Sequence, residues 1–321
     1  MRYAVVDLGS NTIRLCVYDV AGGSIKTIVN RKQMAGLASY VEGGELTREG
    51  IDTAVRILRK QLKRAALFGP DRTDVFATAV LRNIKNSKRA VASISEQAGA
   101  PIVLLSDADE AHLGFVGASS ATAMESGVLI DIGGGSSEVT RVRKGSDVAR
   151  ASVPQGSLFS FEAFVSDILP TADEAAAIRR AFRERYAATL SAAHVAAGDF
   201  RSETLFGIGG SVRAVAEVCG QLRPNCDGKT LTCEDVLYLC TAMLTDRRRF
   251  VHAVLRVAPE RLHTVACGLF ILAELFELAG GRRLTVCKNG LREGYLIERM
   301  LGGSLPVAAD AEGAAAQSAR G

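Results

Sequence analysis

Asp131-Ile132-Gly133-Gly134-Gly135-Ser136-Ser137-Glu138 is the stretch on which the reading of this chain turns, and Asp7-Leu8-Gly9-Ser10-Asn11-Thr12 is its partner. Each follows a short apolar run, Val128-Leu129-Ile130 and Tyr3-Ala4-Val5-Val6. Each then returns into strand-like residues, Val139-Thr140-Arg141-Val142 and Leu15-Cys16-Val17-Tyr18. Both read as strand, tight turn, strand. Glycines let such a turn reach positive φ and bring bare backbone N–H groups up to an anion, while the Asp at the strand end orients water or a cation. One such loop is equally well an ordinary hairpin with a glycine turn. Two of them, about one domain apart, point to a cleft built to hold phosphate.

The 321 residues exceed a typical single domain, so two domains sharing one cleft is the natural expectation. Hydrophobic residues make up 48% and charged residues 23%, an ordinary globular composition, and the absence of Trp argues against nucleic-acid readout by base stacking. The net charge of +4 permits an anionic substrate without announcing a nucleic-acid partner. Asp7 and Arg14 interrupt the start of any secretory leader, and Val265 to Leu278 is too short to span a bilayer, so a cytoplasmic protein with no membrane partner is expected. Seven Cys without a C-x-x-C pair fit reduced thiols. Cys219, Cys226, Cys233 and Cys240 recur every seven residues, but Pro224 and Asp227-Gly228 fall among them and the spacing matches no usual zinc pattern. They read as partly buried small hydrophobes. The four His are scattered and suggest no metal cluster.

Thr47 caps an amphipathic helix whose Ile51, Val55, Leu58, Leu62 and Ala65 share a face, and Gly69-Pro70 stops it. Strands are expected at 74–78 and 101–105 with a helix between them. In the second half a long helix is expected around 171–194, a strand at 204–206, a helix at 212–219 and a last helix at 291–300. The scheme suggests a topological duplication.

A third glycine turn, Gly207-Ile208-Gly209-Gly210-Ser211, either presents a helix N-terminus to an anion or nucleotide or simply lets a helix pack close on a strand. Added to the two loops are Ala77-Thr78-Ala79-Val80-Leu81-Arg82, Asp109-Glu110-Ala111, Pro154-Gln155-Gly156, Gly209-Gly210-Ser211-Val212-Arg213 and Gly290-Leu291-Arg292-Glu293-Gly294. Together these residues resemble the exopolyphosphatase and guanosine pentaphosphate phosphohydrolase (Ppx/GppA) family, within the superfamily of actin, heat-shock chaperone ATPases and sugar kinases. The resemblance covers nearly the whole chain.

The resemblance implies an α/β fold of two actin-like (ribonuclease H-like) domains flanking a central cleft. They are expected at 1–118 and 119–295, with a helix near 296–301 packing back on the first domain and a disordered tail at 302–321. It implies hydrolysis of a terminal phosphoanhydride with Glu110 as catalytic base, and Asp131 and Glu138 near the attacking water or a Mg²⁺ ion. Such hydrolysis needs an in-line water, a carboxylate to deprotonate it, and donors to absorb charge on the transferring phosphoryl group. Asp7, Gly9, Ser10, Asn11, Thr12, Gly133, Gly134, Gly135 and Ser136 are then the phosphate-binding set, with Arg82 as a charged clamp. Gly209, Gly210 and Ser211 seat nucleotide or phosphate, and Mg²⁺ is held through phosphate oxygens and the Asp131 and Glu138 carboxylates.

Apart from the resemblance, Glu110 reads more readily as a favourable acid in the first turn of a helix, and the rival readings are Arg82 as a solvated helix residue and Glu138 as a cross-strand partner. Arg292 and Glu293 read as a structural pair close to the cleft. Lys60, Lys63, Arg64, Arg82, Lys85, Lys88 and Arg89 are candidates to steer a polyanion, or a solvated helix face. The chain departs from the family pattern at His112, at His263 and at Lys288-Asn289. These bear on substrate choice, and Lys288 or His263 would make the cleft friendlier to negative charge. The leading expectation is an exopolyphosphatase acting on inorganic polyphosphate. The alternatives are a phosphohydrolase converting pppGpp to ppGpp, a non-catalytic sensor, and a kinase or ATPase of the superfamily; a homodimer is compatible with each.

Overall fold

Gly9 N–H donates to Thr12 O and Gly133 N–H to Ser136 O, at 3.0 and 2.9 Å, so the two glycine loops close by the same turn. The computed structural model describes residues 1–303. The expected 302–321 tail, apart from its first two residues, lies outside the described residues. Around the first loop, β1 (Arg2–Leu8), β2 (Thr12–Ala21) and β3 (Ser24–Met34) form an antiparallel meander. A short hairpin, β4 (Val41–Glu42) and β5 (Glu45–Leu46), leads into α1 (Arg48–Ala66). The Thr47 side chain accepts from Gly50 N–H, the N-cap that the sequence shows. Then come β6 (Arg72–Ala77), α2 (Ala79–Arg82), α3 (Ser87–Ala98), β7 (Ile102–Leu104) and α4 (Asp107–Ser119), the last opened by a Ser106/Asp109 capping box. The sheet order is β3-β2-β1-β6-β7, with β6 and β7 parallel to β1.

The second half repeats that order. β8 (Ser126–Ile132), β9 (Ser137–Arg143) and β10 (Ser146–Val153) form a second meander, followed by α5 (Ser157–Phe164), α6 (Ala172–Ala192), β11 (Thr204–Ile208) and α7 (Gly209–Leu222). Next are β12 (Thr230–Thr232), α8 (Cys233–Thr245), α9 (Arg247–Val257), α10 (Leu262–Ala279), β13 (Arg283–Val286) and α11 (Leu291–Tyr295), which continues as one π-helical turn, Leu296–Met300. The sheet runs β10-β9-β8-β11-β13-β12, with β11 parallel to β8, β13 parallel to β11 and β12 added antiparallel at the edge. Two sheets of one connectivity make the actin-like duplication that the resemblance implies.

α10 is long and apolar enough to cross a membrane by length and composition, but it packs against α5, α6, α7 and α8 and is buried over most of its length. A helix apolar all round belongs in such a setting. Its one buried acid, Glu274, is paired by Arg179 and Arg183 at 2.9 and 2.5 Å, which removes the cost of an isolated charge. The C-terminal turn packs against the first sheet, where Tyr295, Leu296 and Met300 join Tyr3, Val5, Cys16, Tyr18 and Phe76. On the way there α11 crosses α4 in backbone contact: a Cβ at Gly117 would overlap Gly290 O, and one at Gly294 would overlap Leu113 O. Both sheets are thereby joined through α4 and α11.

Candidate active site

The carbonyls of the second loop are taken by α5. Gly133 O accepts from Ser157 N–H, and Gly134 O accepts from Leu158 and Phe159 N–H. In the first loop Asn11 O accepts from Ala35 and Gly36 N–H, and Ser10 O from Ala38 N–H. The amides of Ser10, Asn11, Gly134, Gly135 and Ser136 have no hydrogen-bond partner among the described residues. The loops thus turn acceptors into the scaffold and leave donors for an anion. They also meet: a Cβ on Gly134 would stand 3.2 Å from Ser10 Cβ.

Between them is a cavity of about 160 Å³. Asp7, Gly9, Ser10, Asn11, Thr12, Glu110, Asp131, Gly133, Gly134, Gly135, Ser136, Gly209, Gly210 and Ser211 all line it, as the sequence reading placed them together. The α7 N-terminus at Gly209 faces the same space, where unpaired helical N–H groups favour negative charge. Gly209 has φ +82, and a Cβ there would overlap Asp131 Oδ1. Only glycine satisfies both conditions.

Two expected residues lie elsewhere. Glu138 is buried behind the cavity, directly across the β8–β9 ladder from Asp131, and accepts from Ser152 Oγ at 3.0 Å. Arg82 does not line the cavity and is no clamp on its contents. Its Nη1 donates to Leu105 O and Glu110 Oε2, both at 2.9 Å, and its Nη2 donates to Asp107. Nor is it a solvated surface residue, since its side chain is only 12% exposed. Of the steering set, none lines the cavity: Lys60, Lys63 and Arg64 sit on the outer face of α1, Lys85 bonds Gly43 O and Arg89 pairs with Glu45.

The cations around the cavity are instead Arg14, Arg213, Arg261 and Arg292. Sequence order scatters them over β2, α7, the turn before α10, and α11. Arg14 was findable, because it stands as far beyond Asp7 as Glu138 stands beyond Asp131, and the hairpin register puts each pair opposite. Arg292 donates to Asp7 Oδ2 at 2.9 Å, whereas Glu293 accepts from Tyr18 Oη and Gly290 N–H, so Arg292 and Glu293 serve different partners and are not a pair. Lys288 and His263 are not among the lining residues. Lys288 offers its carbonyl to Arg213, and His263 packs edge-on against Phe161. His112 lies between Asp147 and Glu298, 2.8 Å from each. Lys32 on β3 and Glu260 before α10 pair across the two halves beside Arg14 and Arg261.

Burial and like charge drive both sets of ionisable groups against their ordinary states. Burial, moderated by Arg82 and aggravated by Asp131 and Asp7, pushes Glu110 up to about 7. Burial raises Asp131 to about 6 against the pull of Arg213 and Arg292. Burial, with Glu110 and Asp131, raises Glu138 well above the carboxylate range. On the cationic side burial and Arg292 lower Arg14 to about 10, burial and Arg292 also lower Arg213, and burial lowers Arg261 against the pull of Glu260. Crowded arginines are relieved by an anion and crowded carboxylates by a cation, so this site is electrostatically set for both.

Comparison with known proteins agrees. The model of the Ppx/GppA phosphatase family matches residues 16–302. An uncharacterized protein of Streptomyces coelicolor is 34% identical over 160 residues, 49% of this chain and 48% of its own length, so the match spans about half of that relative. An exopolyphosphatase structure from Cytophaga hutchinsonii superposes with a TM-score of 0.80 at 23% identity, covering 96% of this chain and 100% of that one. A Ppx/GppA enzyme of Aquifex aeolicus gives 0.71 at 23% identity over 93% and 99%. The structures share the fold, and with the family match over most of the sequence the chain belongs to the Ppx/GppA phosphatase family.

Proposed function

We propose that the chain is an exopolyphosphatase, releasing orthophosphate from the end of inorganic polyphosphate with Glu110 as general base. The observation that carries this reading is Glu110 itself, a base poised near neutrality at the wall of a cavity lined by phosphate loops and arginines. Arg82 occupies Oε2, and Oε1 has no partner among the described residues. Oε1 is then the oxygen that takes the proton of an attacking water. The new P–O bond forms as the bond to the penultimate phosphate breaks, and the shortened chain leaves with its charge facing the arginines. Loop amides and Ser10 and Ser136 hold the equatorial oxygens of the transferring group.

Asp131 on the cavity wall, with Glu138 opposite it across the β8–β9 ladder, would hold Mg²⁺. When bound it supplies charge neutralisation at the phosphoryl oxygens. A cavity of about 160 Å³ favours a bare phosphate run, because sites for larger organic ligands span roughly 300–1,000 Å³. The α7 N-terminus on the same cavity favours a second reading, conversion of pppGpp to ppGpp. A sensor gains little from carboxylates placed beside a polyanion.

The test is orthophosphate release from long-chain polyphosphate and from pppGpp in parallel, with Mg²⁺. A higher kcat/KM on polyphosphate supports the proposal, and a higher value on pppGpp replaces it with the second reading. Binding of both without turnover makes the protein a sensor.

A further inference from the structure

Three thiol and carboxylate groups outside the cleft converge from separate elements. Cys219 is fully buried near the end of α7, Cys226 sits half-buried in the turn between α7 and β12, and Asp235 lies in the first turn of α8. One ligand atom from each lies within 4.8 Å of the other two. We propose that Cys219, Cys226 and Asp235 bind one thiophilic divalent cation, Zn²⁺ by its chemistry, with the fourth position left to water.

The heptad spacing of the cysteines hides this arrangement, because Cys233 and Cys240 do not belong to it and Asp235 does. The ligand set is supported from outside. Asp235 Oδ1 accepts from Arg223 at 2.6 Å, Oδ2 accepts from Thr232 N–H and Oγ1 at 2.9 and 2.8 Å, and Arg223 lies over the Tyr238 ring. Outer hydrogen bonds of this kind orient a metal-binding carboxylate, whose Oδ1, with one bond to Arg223, retains a lone pair for the ion. The turn bearing Cys226 is formed before any ion arrives. Asp227 Oδ1 accepts from Lys229 and Thr230 N–H at 2.8 Å each, and Gly228 takes φ +68.

Charge balances as well: two thiolates and a carboxylate are offset by the divalent ion together with Arg223. Zn–S bonds of about 2.3 Å in a tetrahedron place sulfurs about 3.8 Å apart, so the half-buried Cys226 turn draws in by up to about 1 Å on binding. Thiolate ligation selects a soft ion over the hard Mg²⁺ of the cleft. Burial, followed by the neighbouring Cys226, raises the Cys219 thiol, and ligation releases its proton. The site acts as a clip, holding the 223–229 turn to α7 and α8 beside β12.

The experiment is titration of the reduced, chelator-treated full chain with Co²⁺, followed by Zn²⁺. One equivalent of Co²⁺ should give a thiolate-to-cobalt charge-transfer band that Zn²⁺ abolishes, and Zn²⁺ should raise Tm. Cys226→Ser should lose the band, Asp235→Asn should weaken binding tenfold or more, and Cys233→Ser and Cys240→Ser should leave it intact. Circular dichroism checks that each variant is folded. Absence of the band in the reduced wild type overturns the proposal, as does a band that survives in Cys226→Ser. A mass loss of two hydrogens on air exposure in a chain that binds no Co²⁺ assigns the pair to a disulfide instead and equally overturns it.

Discussion

Asp131 and Glu138 stand directly opposite each other across the β8–β9 hairpin, in the register that puts Asp7 opposite Arg14 in β1–β2. One backbone unit is thus used twice with different charge: the first copy presents an acid with a base, the second two acids. On the proposed reading the first serves phosphate oxygens and the second a cation. Glu138→Gln should therefore raise the Mg²⁺ concentration for half-maximal activity about tenfold or more. Metal titration of phosphate release measures it, and an unchanged Mg²⁺ requirement would remove Glu138 from the metal set.

Arg82 reaches Glu110 and not the cavity, so on the proposed reading its effect on chemistry passes through the base. Because Arg82 lowers the Glu110 pKa from where burial alone would hold it, Arg82→Ala should move the acidic limb of the kcat profile to higher pH and lower kcat at neutrality. Arg82→Lys should restore part of both. A variant with raised KM, normal kcat and an unshifted profile would mean that Arg82 holds substrate.

As the proposed base Glu110 must be ionised, so kcat/KM should climb with pH through about 7. Stability runs the other way. The folded state keeps the Glu110 proton up to about 7, whereas the unfolded chain releases it near 4.5, so this group contributes stability below about 4.5 that is lost as pH rises to about 7. Asp131 adds to the same slope up to about 6. Urea unfolding of Glu110→Gln without Mg²⁺ should show a shallower decline than wild type and a stability gain on the order of 1–3 kcal/mol at pH 8. An equal slope in both proteins would contradict the assigned shift.

Gly209→Ala tests the third turn. Its positive φ and the overlap with Asp131 predict a loss of at least about 1 kcal/mol in stability, and displacement of Asp131 predicts a fall in kcat of about tenfold or more. Thermal unfolding and steady-state kinetics together read both, and a fully active, equally stable variant would show that Asp131 tolerates the displacement.

Local chemistry was legible in the sequence, and assembly much less so. The glycine loops and the Thr47 cap were readable because turns and caps are decided within a few residues. Strand β11 was anticipated, but α7 begins at Gly209 rather than Val212, because the glycines are themselves its first turn. Arg213 and Arg292 stand in motifs but without a visible role, and Arg261 gave no local signal, since their meeting depends on α7, α10 and α11 converging on the two hairpins. The basic stretch 60–64 looked suited to a polyanion, yet it faces outward because the apolar stripe of α1 turns Val55, Leu58 and Ala65 toward the sheet.

The most direct measurement is phosphate release from polyphosphate by Glu110→Gln beside wild type at pH 8 with saturating Mg²⁺, with polyphosphate affinity determined for both. The account predicts a fall in kcat of about 10²–10⁴ with affinity kept within a few-fold. A folded Glu110→Gln protein that turns over polyphosphate within threefold of wild type would contradict Glu110 as the base.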